Sequence, residues 1–469
     1  VTASDLAPLS LAEAATLIRG RKLSPVELTA ACLSRIERLD PVLNAFITVT
    51  ADLARKQAKQ AEEEIARGGY RGPLHGVPYA LKDLFDTAGV LTTCGSRIMA
   101  NRVPEADSHA AGTLRGAGAV LLGKLNMVEI ALGASGSNPH YGPVRNPWDT
   151  ARITGGSSSG SGAAVASGMS FAALGTDTGG SIRIPAALCG VAGLKPTFGR
   201  ISRRGVFPLS WSLDHAGPLT RTVEDAAVVL QALAGPDAAC RSSIAEPVPD
   251  YTAALERGLG GLRIGLPGAF FFDGLDPEVE AAVREAVAVL EGLGAQVRET
   301  ALPHIQEAPL ATSAIMLPEA LAVHQKWMRE RPGDYGDDVR LRLEMGAAYS
   351  ATAYVQAQRF REMIVEEWRS QVFQAVDLIV TPTTPITACL IEEAELQTTL
   401  SLIRNTNPFN LLGVPAISVP CGFTAAGLPI GLQLAGRWWD EPTVIAAAHA
   451  YEQAAGWHKR TPPEAAAPG

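Results

Sequence analysis

The stretch Thr154 to Pro185, TGGSSSGSGAAVASGMSFAALGTDTGGSIRIP, concentrates residues that could do chemistry. It holds two Gly-Ser clusters, with Ser157 and Ser181 24 residues apart, each ahead of a segment that reads as a helix. Glycine permits positive φ and close backbone approach, and a helix N-terminus behind such a loop offers N–H groups and a positive dipole end. That combination suits an oxyanion or a phosphate. A P-loop requires GxxxxGK[ST], and no Lys-Ser or Lys-Thr follows either cluster. Neither cluster spells the GxGxxG dinucleotide fingerprint. Gly156-Ser157-Ser158-Ser159-Gly160 matches the GxSxG nucleophile elbow, but that motif needs a strand directly before it, and Asn146-Pro147-Trp148-Asp149 reads as a loop. His215, beside Asp214, is the histidine a Ser-His-Asp triad would have to draft, and nothing in the spacing favours it. SxxK chemistry fails because no Ser stands three residues before any Lys. Ser-Lys chemistry remains. A serine hydroxyl is a weak nucleophile without a base, and a lysine can be that base if burial disfavours its charge. Lys82 ends the apolar run Val77-Pro78-Tyr79-Ala80-Leu81, where a buried strand end could strip it of water. The bland alternative is a surface lysine paired with Asp83 or Asp86.

The elements around these residues read as a large α/β fold. Capping-box patterns at Ser10-Leu11-Ala12-Glu13 and Ser24-Pro25-Val26-Glu27 open two helices, and Ala51 to Arg67 is a third, so residues 1 to about 70 form a helical N-terminal segment. Beyond Gly72, short apolar strands (Val77 to Phe85, Ala119 to Leu125, Phe171 to Thr178) alternate with helices at Ser108 to Gly116 and from Ser181. Further strands are expected at Leu262 to Leu266, Asp377 to Thr381, Ala416 to Pro420 and Ile430 to Ala435. Such alternation predicts one central mixed, mostly parallel β-sheet with helices on both faces. Residues 303 to 375 read as wholly helical, an insertion or lid within a single domain spanning residues 1–469. With 469 residues and 47% hydrophobic content the chain can bury a large core. A net charge of −8 argues against a general nucleic-acid binder. No apolar run is long enough to span a membrane, and the N-terminus lacks the basic and apolar regions of a secretory signal, so a cytoplasmic location is expected. The six cysteines are scattered without CxxC, and the eight histidines show no HxxxH or HExxH, so neither a disulfide framework nor a metal site is expected. Cys94 and Cys189 read as packing thiols.

Taken together, LHGVPYALKD (Leu74 to Asp83), GGSSSGSGAAVA (Gly155 to Ala166), GTDTGGSIRIPA (Gly175 to Ala186), GLKPTFGR (Gly193 to Arg200) and DHAGPLTRTVED (Asp214 to Asp225) resemble the amidase signature hydrolases. So do the C-terminal pieces VPAISVPCG and LPIGLQLAG. The resemblance covers Ser24 to Gly456 and implies a Ser-cisSer-Lys triad without a cofactor. Carried over by motif, Lys82 is the base, Ser157 the bridging serine after a cis peptide bond, and Ser181 the nucleophile. Neutral Lys82 would take a proton from Ser157, which takes one from Ser181. The backbone N–H groups of Thr178, Gly179, Gly180 and Ser181 would hold the oxyanion. Asp177 and Arg183 would shape the loop by ion pairing, with Ser159 in support. Ser158 and Met127 would contribute to substrate binding.

The resemblance implies an amide-bond hydrolase but leaves the amide open. The helical stretch carries Met316, Trp327, Met328, Met345 and Trp368, which could line an apolar acyl or aryl site. The expectation is a stand-alone amidase of broad, apolar-tolerant specificity, an aryl acylamidase or a urethanase, whose acyl-transfer step extends to esters and carbamates. Its partners would be a small-molecule amide, ester or carbamate, with no nucleic acid and no membrane; a homo-oligomer is allowed. The alternative is the glutaminase subunit of a tRNA-dependent amidotransferase. Ala353 to Arg361 (AYVQAQRFR) resembles that glutaminase, and Arg361 could bind a carboxylate, but Ser401 to Thr406 (SLIRNT) holds no acid for a glutamine amine.

Overall fold

The computed structural model describes residues 9–463. Both N-terminal capping boxes are formed: Ser10 and Glu13 cap the helix Leu11–Arg19, and Ser24 and Glu27 cap the helix Pro25–Leu43. Between the latter and the third helix, Ala51–Ala66, the chain makes a strand that the helical reading of residues 1–70 omits, β1 (Phe46–Val49). It lies close against the sheet edge because its neighbour carries Gly123, where a Cβ would sit 2.2 Å from Thr48 O.

Eleven strands form the central sheet. After β1 come β2 (Pro78–Lys82) and β3 (Val120–Leu125). A separate two-stranded hairpin, β4 (Arg145–Asn146) and β5 (Asp149–Ile153), turns at the segment that reads as a loop in sequence. The sheet continues with β6 (Ala172–Asp177), β7 (Ala192–Lys195), β8 (His215–Thr220), β9 (Arg263–Leu266), β10 (Gln296–Glu299), β11 (Leu378–Pro382), β12 (Ala416–Phe423) and β13 (Pro429–Gly436). Their spatial order is β1-β3-β2-β6-β8-β7-β12-β13-β11-β9-β10. The sheet is mixed. Parallel pairs β3/β2 and β2/β6 on one side, and β11/β9 and β9/β10 on the other, flank an antiparallel centre. That centre runs from β6 through β8, β7, β12 and β13 to β11.

Every residue of β2, β3 and β6 is buried, as strands covered on both faces must be. Along β13, a Cβ at Gly431 would strike Ala187 of the helix Arg183–Cys189, and one at Gly436, an odd number of residues later, would strike Val444 of the helix Glu441–Ala455. Side chains alternate along a strand, so these helices cover opposite faces. The stretch that reads as wholly helical folds into Ala308–Glu330, Asp337–Ala347 and Ala351–Glu367, then a short helical run to Ala375. It packs over a second core centred on Phe271, Trp368 and Phe409. Among the described residues no helix is long and apolar enough to cross a membrane.

Candidate active site

Strand β2 delivers Lys82 at its C-terminal end, fully buried. The bland alternative for this lysine does not hold, because its two carboxylate candidates are taken. Asp83 pairs with Lys124 at 3.3 Å, and Asp86 pairs with Arg102 at 2.7 Å. Lys82 Nζ instead lies 2.7 Å from Ser157 Oγ and 2.8 Å from Thr176 Oγ1. Burial pushes its pKa down to about 7, against the pull of the Asp214 and Asp177 carboxylates.

Ser157 follows a cis peptide bond with Gly156 and is itself fully buried. The next N–H, of Ser158, donates to Ser181 O at 3.2 Å, which draws the two serine-bearing loops together. Ser181 differs from Lys82 and Ser157 in being 8% exposed, and it lines a cleft of about 130 Å³ with Thr178 and Gly179. A buried amine, a buried hydroxyl and a second hydroxyl at a cleft wall stand in the order that a proton wire to a bound acyl group would need.

The turn before Ser181 is pinned on both sides of one peptide group. Gly179 O accepts from Thr406 Oγ1 at 2.6 Å, and Gly180 N–H donates to Asp177 Oδ1 at 2.8 Å. The Gly180 N–H is therefore spent, which removes it from the expected oxyanion donors and leaves those of Thr178, Gly179 and Ser181. Gly180 has φ +134°, and a Cβ there would lie 2.1 Å from Thr406 Oγ1, so only glycine fits. Asp177 is fully buried; burial opposes its ionised form, yet Arg183, Lys195 and Asn410 together hold the carboxyl well below its ordinary range. Arg183 donates through Nε and Nη2 to Asp177 at 3.0 and 2.8 Å, then through Nη1 to Thr406 O and Gln433 Oε1, and through Nη2 to Asn410 Oδ1. Ion pairing that shapes the loop is what these contacts do.

Two other expected residues lie elsewhere. Ser158 is buried and exchanges hydrogen bonds with the Thr176 backbone, and Met127 is buried in the main core. Neither is among the residues that line the cleft. Ser159 begins the helix Ser159–Ala166 and its hydroxyl donates to Asn126 O at 3.4 Å. His215 is no triad member: its Nδ1 faces Leu213 O at 2.7 Å and Asp177 O at 3.2 Å. Cys94 and Cys189 are buried, and desolvation pushes both thiols up, out of reach of nucleophilic chemistry. Of the residues that could furnish an apolar wall, Met316 and Met345 line the cleft, whereas Trp327 and Met328 pack against the main core and Trp368 is buried in the second one. Arg361 does not reach the cleft either; its guanidinium donates to Leu411 O and Ser212 O.

Four further positions touch these residues without sequence reasoning having given them this part in the site. Thr176 holds Lys82 Nζ, Asp214 accepts from Thr178 Oγ1 at 2.6 Å, and Thr406 and Asn410 pin the turn from more than 220 residues away. Thr176 and Asp214 stand inside quoted motifs, which is a usable signal; Thr406 and Asn410 carry none.

Comparison with known proteins places this geometry among relatives. The family model described as Amidase matches residues 27–445. A glutamyl-tRNA(Gln) amidotransferase subunit from Geobacter sp. (strain M21) is 43% identical over 98% of this chain and 100% of its own. Among solved structures, one described as a vestigial protein complex that reveals the origins of an s-triazine catabolic enzyme superposes with a TM-score of 0.90. It is 37% identical, over 95% of this chain and 98% of that one. The glutamyl-tRNA(Gln) amidotransferase subunit from Thermotoga maritima superposes with a TM-score of 0.84 at 35% identity, over 98% of each chain. These names favour the amidotransferase reading over an aryl acylamidase or a urethanase. They also overturn the expectation of small-molecule partners alone and no nucleic acid, since close relatives are named for glutamyl-tRNA(Gln).

Proposed function

The chain belongs to the amidase family, and from that premise we propose that it hydrolyses amides through an acyl-enzyme on Ser181, with the acyl body held in an apolar cleft. The observation that carries this reading is the cleft lining. Leu132, Leu209, Met316, Leu317, Met345, Leu396, Leu400 and Ile403 surround Ser181, and no carboxylate is among the described lining residues. Neutral Lys82 takes the Ser157 proton as Ser157 takes that of Ser181. Ser181 Oγ adds to the acyl carbon, and the N–H groups of Gly179 and Ser181, with that of Thr178, stabilise the oxyanion; each such donor is worth about 3–4 kcal/mol in the transition state. The proton returns from Lys82 through Ser157 to the leaving nitrogen, because an amine departs poorly unless protonated. Water then repeats the relay to release the acid.

A second reading, the glutaminase component of an amidotransferase acting on glutamyl-tRNA(Gln), is favoured by the names of the curated relatives. Against it stands the cleft: Ile403 of the segment Ser401 to Thr406 lines it, and its described lining holds no carboxylate to meet an α-ammonium group. A panel of L-glutamine, hexanamide, an anilide and a nitrophenyl carbamate separates the readings. The apolar-cleft reading predicts a kcat/KM on the apolar amides at least about tenfold above that on glutamine. Preferential ammonia release from glutamine would contradict it and support the amidotransferase reading.

A further inference from the structure

Arg342 is the one side chain of full charge among the described residues that line the Ser181 cleft. It projects from the helix Asp337–Ala347 with its side chain 9% exposed. It also lines a second cavity of about 440 Å³, and Gly133, Leu396 and Thr399 line both as well. Arg342 thus stands between the Ser181 cleft and a wider antechamber that Glu129, Asp337, Asp338 and Glu395 also line.

Its present partners are Asp338, one turn earlier on the same helix, and Thr399. Nε and Nη2 meet the Asp338 carboxylate at 3.1 and 3.0 Å, and Nη2 lies 3.4 Å from Thr399 Oγ1. Asp338 takes the Nε–Nη2 edge of the guanidinium bidentately, although it is itself 58% exposed. Nη1 faces Gly133, where a Cβ would stand 3.4 Å from it. A planar guanidinium offers five donors in a fork that fits a carboxylate bidentately. An incoming carboxylate would displace Asp338 from that edge, and the half-exposed Asp338 would return to water.

We propose that Arg342 is the specificity-determining residue of the cleft and binds a carboxylate at the far end of the substrate's acyl chain. This rests on the acyl-enzyme reading above and names the substrate class for that site: amides whose acyl group has an apolar middle and an anionic terminus. The acyl side is the relevant one, because the acyl group stays on Ser181 through both half-reactions while the amine leaves and water enters. The Leu and Met lining contacts the methylenes, and the guanidinium, with Thr399 beside it, fixes the chain end.

The test compares hexanamide with adipamic acid, the same six-carbon amide ending in a carboxylate, on the full-length enzyme. Wild type is expected to favour adipamate by at least about tenfold in kcat/KM, mainly through KM, since a hydrogen-bonded charge pair is worth that much. In Arg342→Gln the ratio between the two substrates collapses towards unity. In Asp338→Asn, which removes the competing carboxylate, the ratio rises. Should Arg342→Gln fail to fold, Asp338→Asn still decides the matter, because a purely structural pair would leave the substrate ratio unmoved. Hexanamide turnover with no preference for adipamate overturns the carboxylate subsite and leaves the amidase reading standing. Turnover of neither amide overturns both.

Discussion

At the scale of single residues, the proposed mechanism depends on what water exclusion does to Lys82. Its ammonium is stripped of solvent, so its pKa falls from 10.5 to about 7 even with Asp214 and Asp177 pulling the other way. The sign of the consequence follows directly. Below about 7 the side chain is protonated and cannot accept from Ser157; above it the free amine can. Acylation therefore rises with pH through about 7. That Lys82 ends an apolar strand is legible in the sequence; that it is a base rather than a surface lysine paired with Asp83 or Asp86 is what the family resemblance implies. The hydroxyl that steadies the amine is not legible there. Thr176 lies six residues past Ser170 on an ordinary-looking buried strand, and only the parallel pairing of β2 with β6 carries it beside Lys82.

At the scale of elements, the cleft depends on how the helix Ala308–Glu330 is held to the loop before β8. Glu319, buried on that helix, accepts from Ser210 Oγ at 2.6 Å, from Ser212 Oγ at 2.7 Å and N at 3.1 Å, and from Tyr354 OH at 2.9 Å. Two residues of the same helical turn line the cleft, Met316 and Leu317, and one of the loop does, Leu209. Asp214 then passes the connection on to Thr178, beside the nucleophile. Replacing Glu319 with Ala orphans the buried Ser210 hydroxyl and frees the loop. A loss of roughly 1–3 kcal/mol is expected, read from the urea midpoint, together with a lower kcat/KM. A variant as stable and as active as wild type would show that the clamp does nothing for the cleft. The helical character of residues 303–375 is legible from periodicity, whereas the clamp is not: a glutamate on a helix reads as a solvent-facing charge. The hairpin β4–β5 also escapes sequence reasoning, since β4 has only two residues and leaves no period to detect.

At the scale of the whole molecule, the catalytic turn is where the two halves of the chain meet. Asp177 and Arg183 come from the first half; Thr406, Asn410 and Gln433 come from the second, and all are buried. Nothing local in NTNPFNLLG announces that role, because the contact is made only when β12 and β13 complete the sheet beside β7. Arg183→Met leaves the Asp177 carboxylate buried without its cation. Breaking such a pair costs about 3–5 kcal/mol, measurable as a fall in the unfolding midpoint. Because the Asp177 pKa is lowered by folding, its contribution is present above the ordinary carboxyl value of 3.8 and is lost as pH falls below it. The variant should therefore show a smaller drop in stability on acidification than wild type does. Equal midpoints at neutral pH would mean that the turn is held by other contacts.

The neutral state of Lys82 is tested most directly by single-turnover acylation of Ser181 by a chromogenic amide or ester across about pH 5 to about pH 9. The expected profile climbs to a plateau with a midpoint at about 7, and Lys82→Ala loses both the rate and the limb. A rate that stays flat across that range, or a limb that survives in Lys82→Ala, would contradict a lysine base for the serine relay.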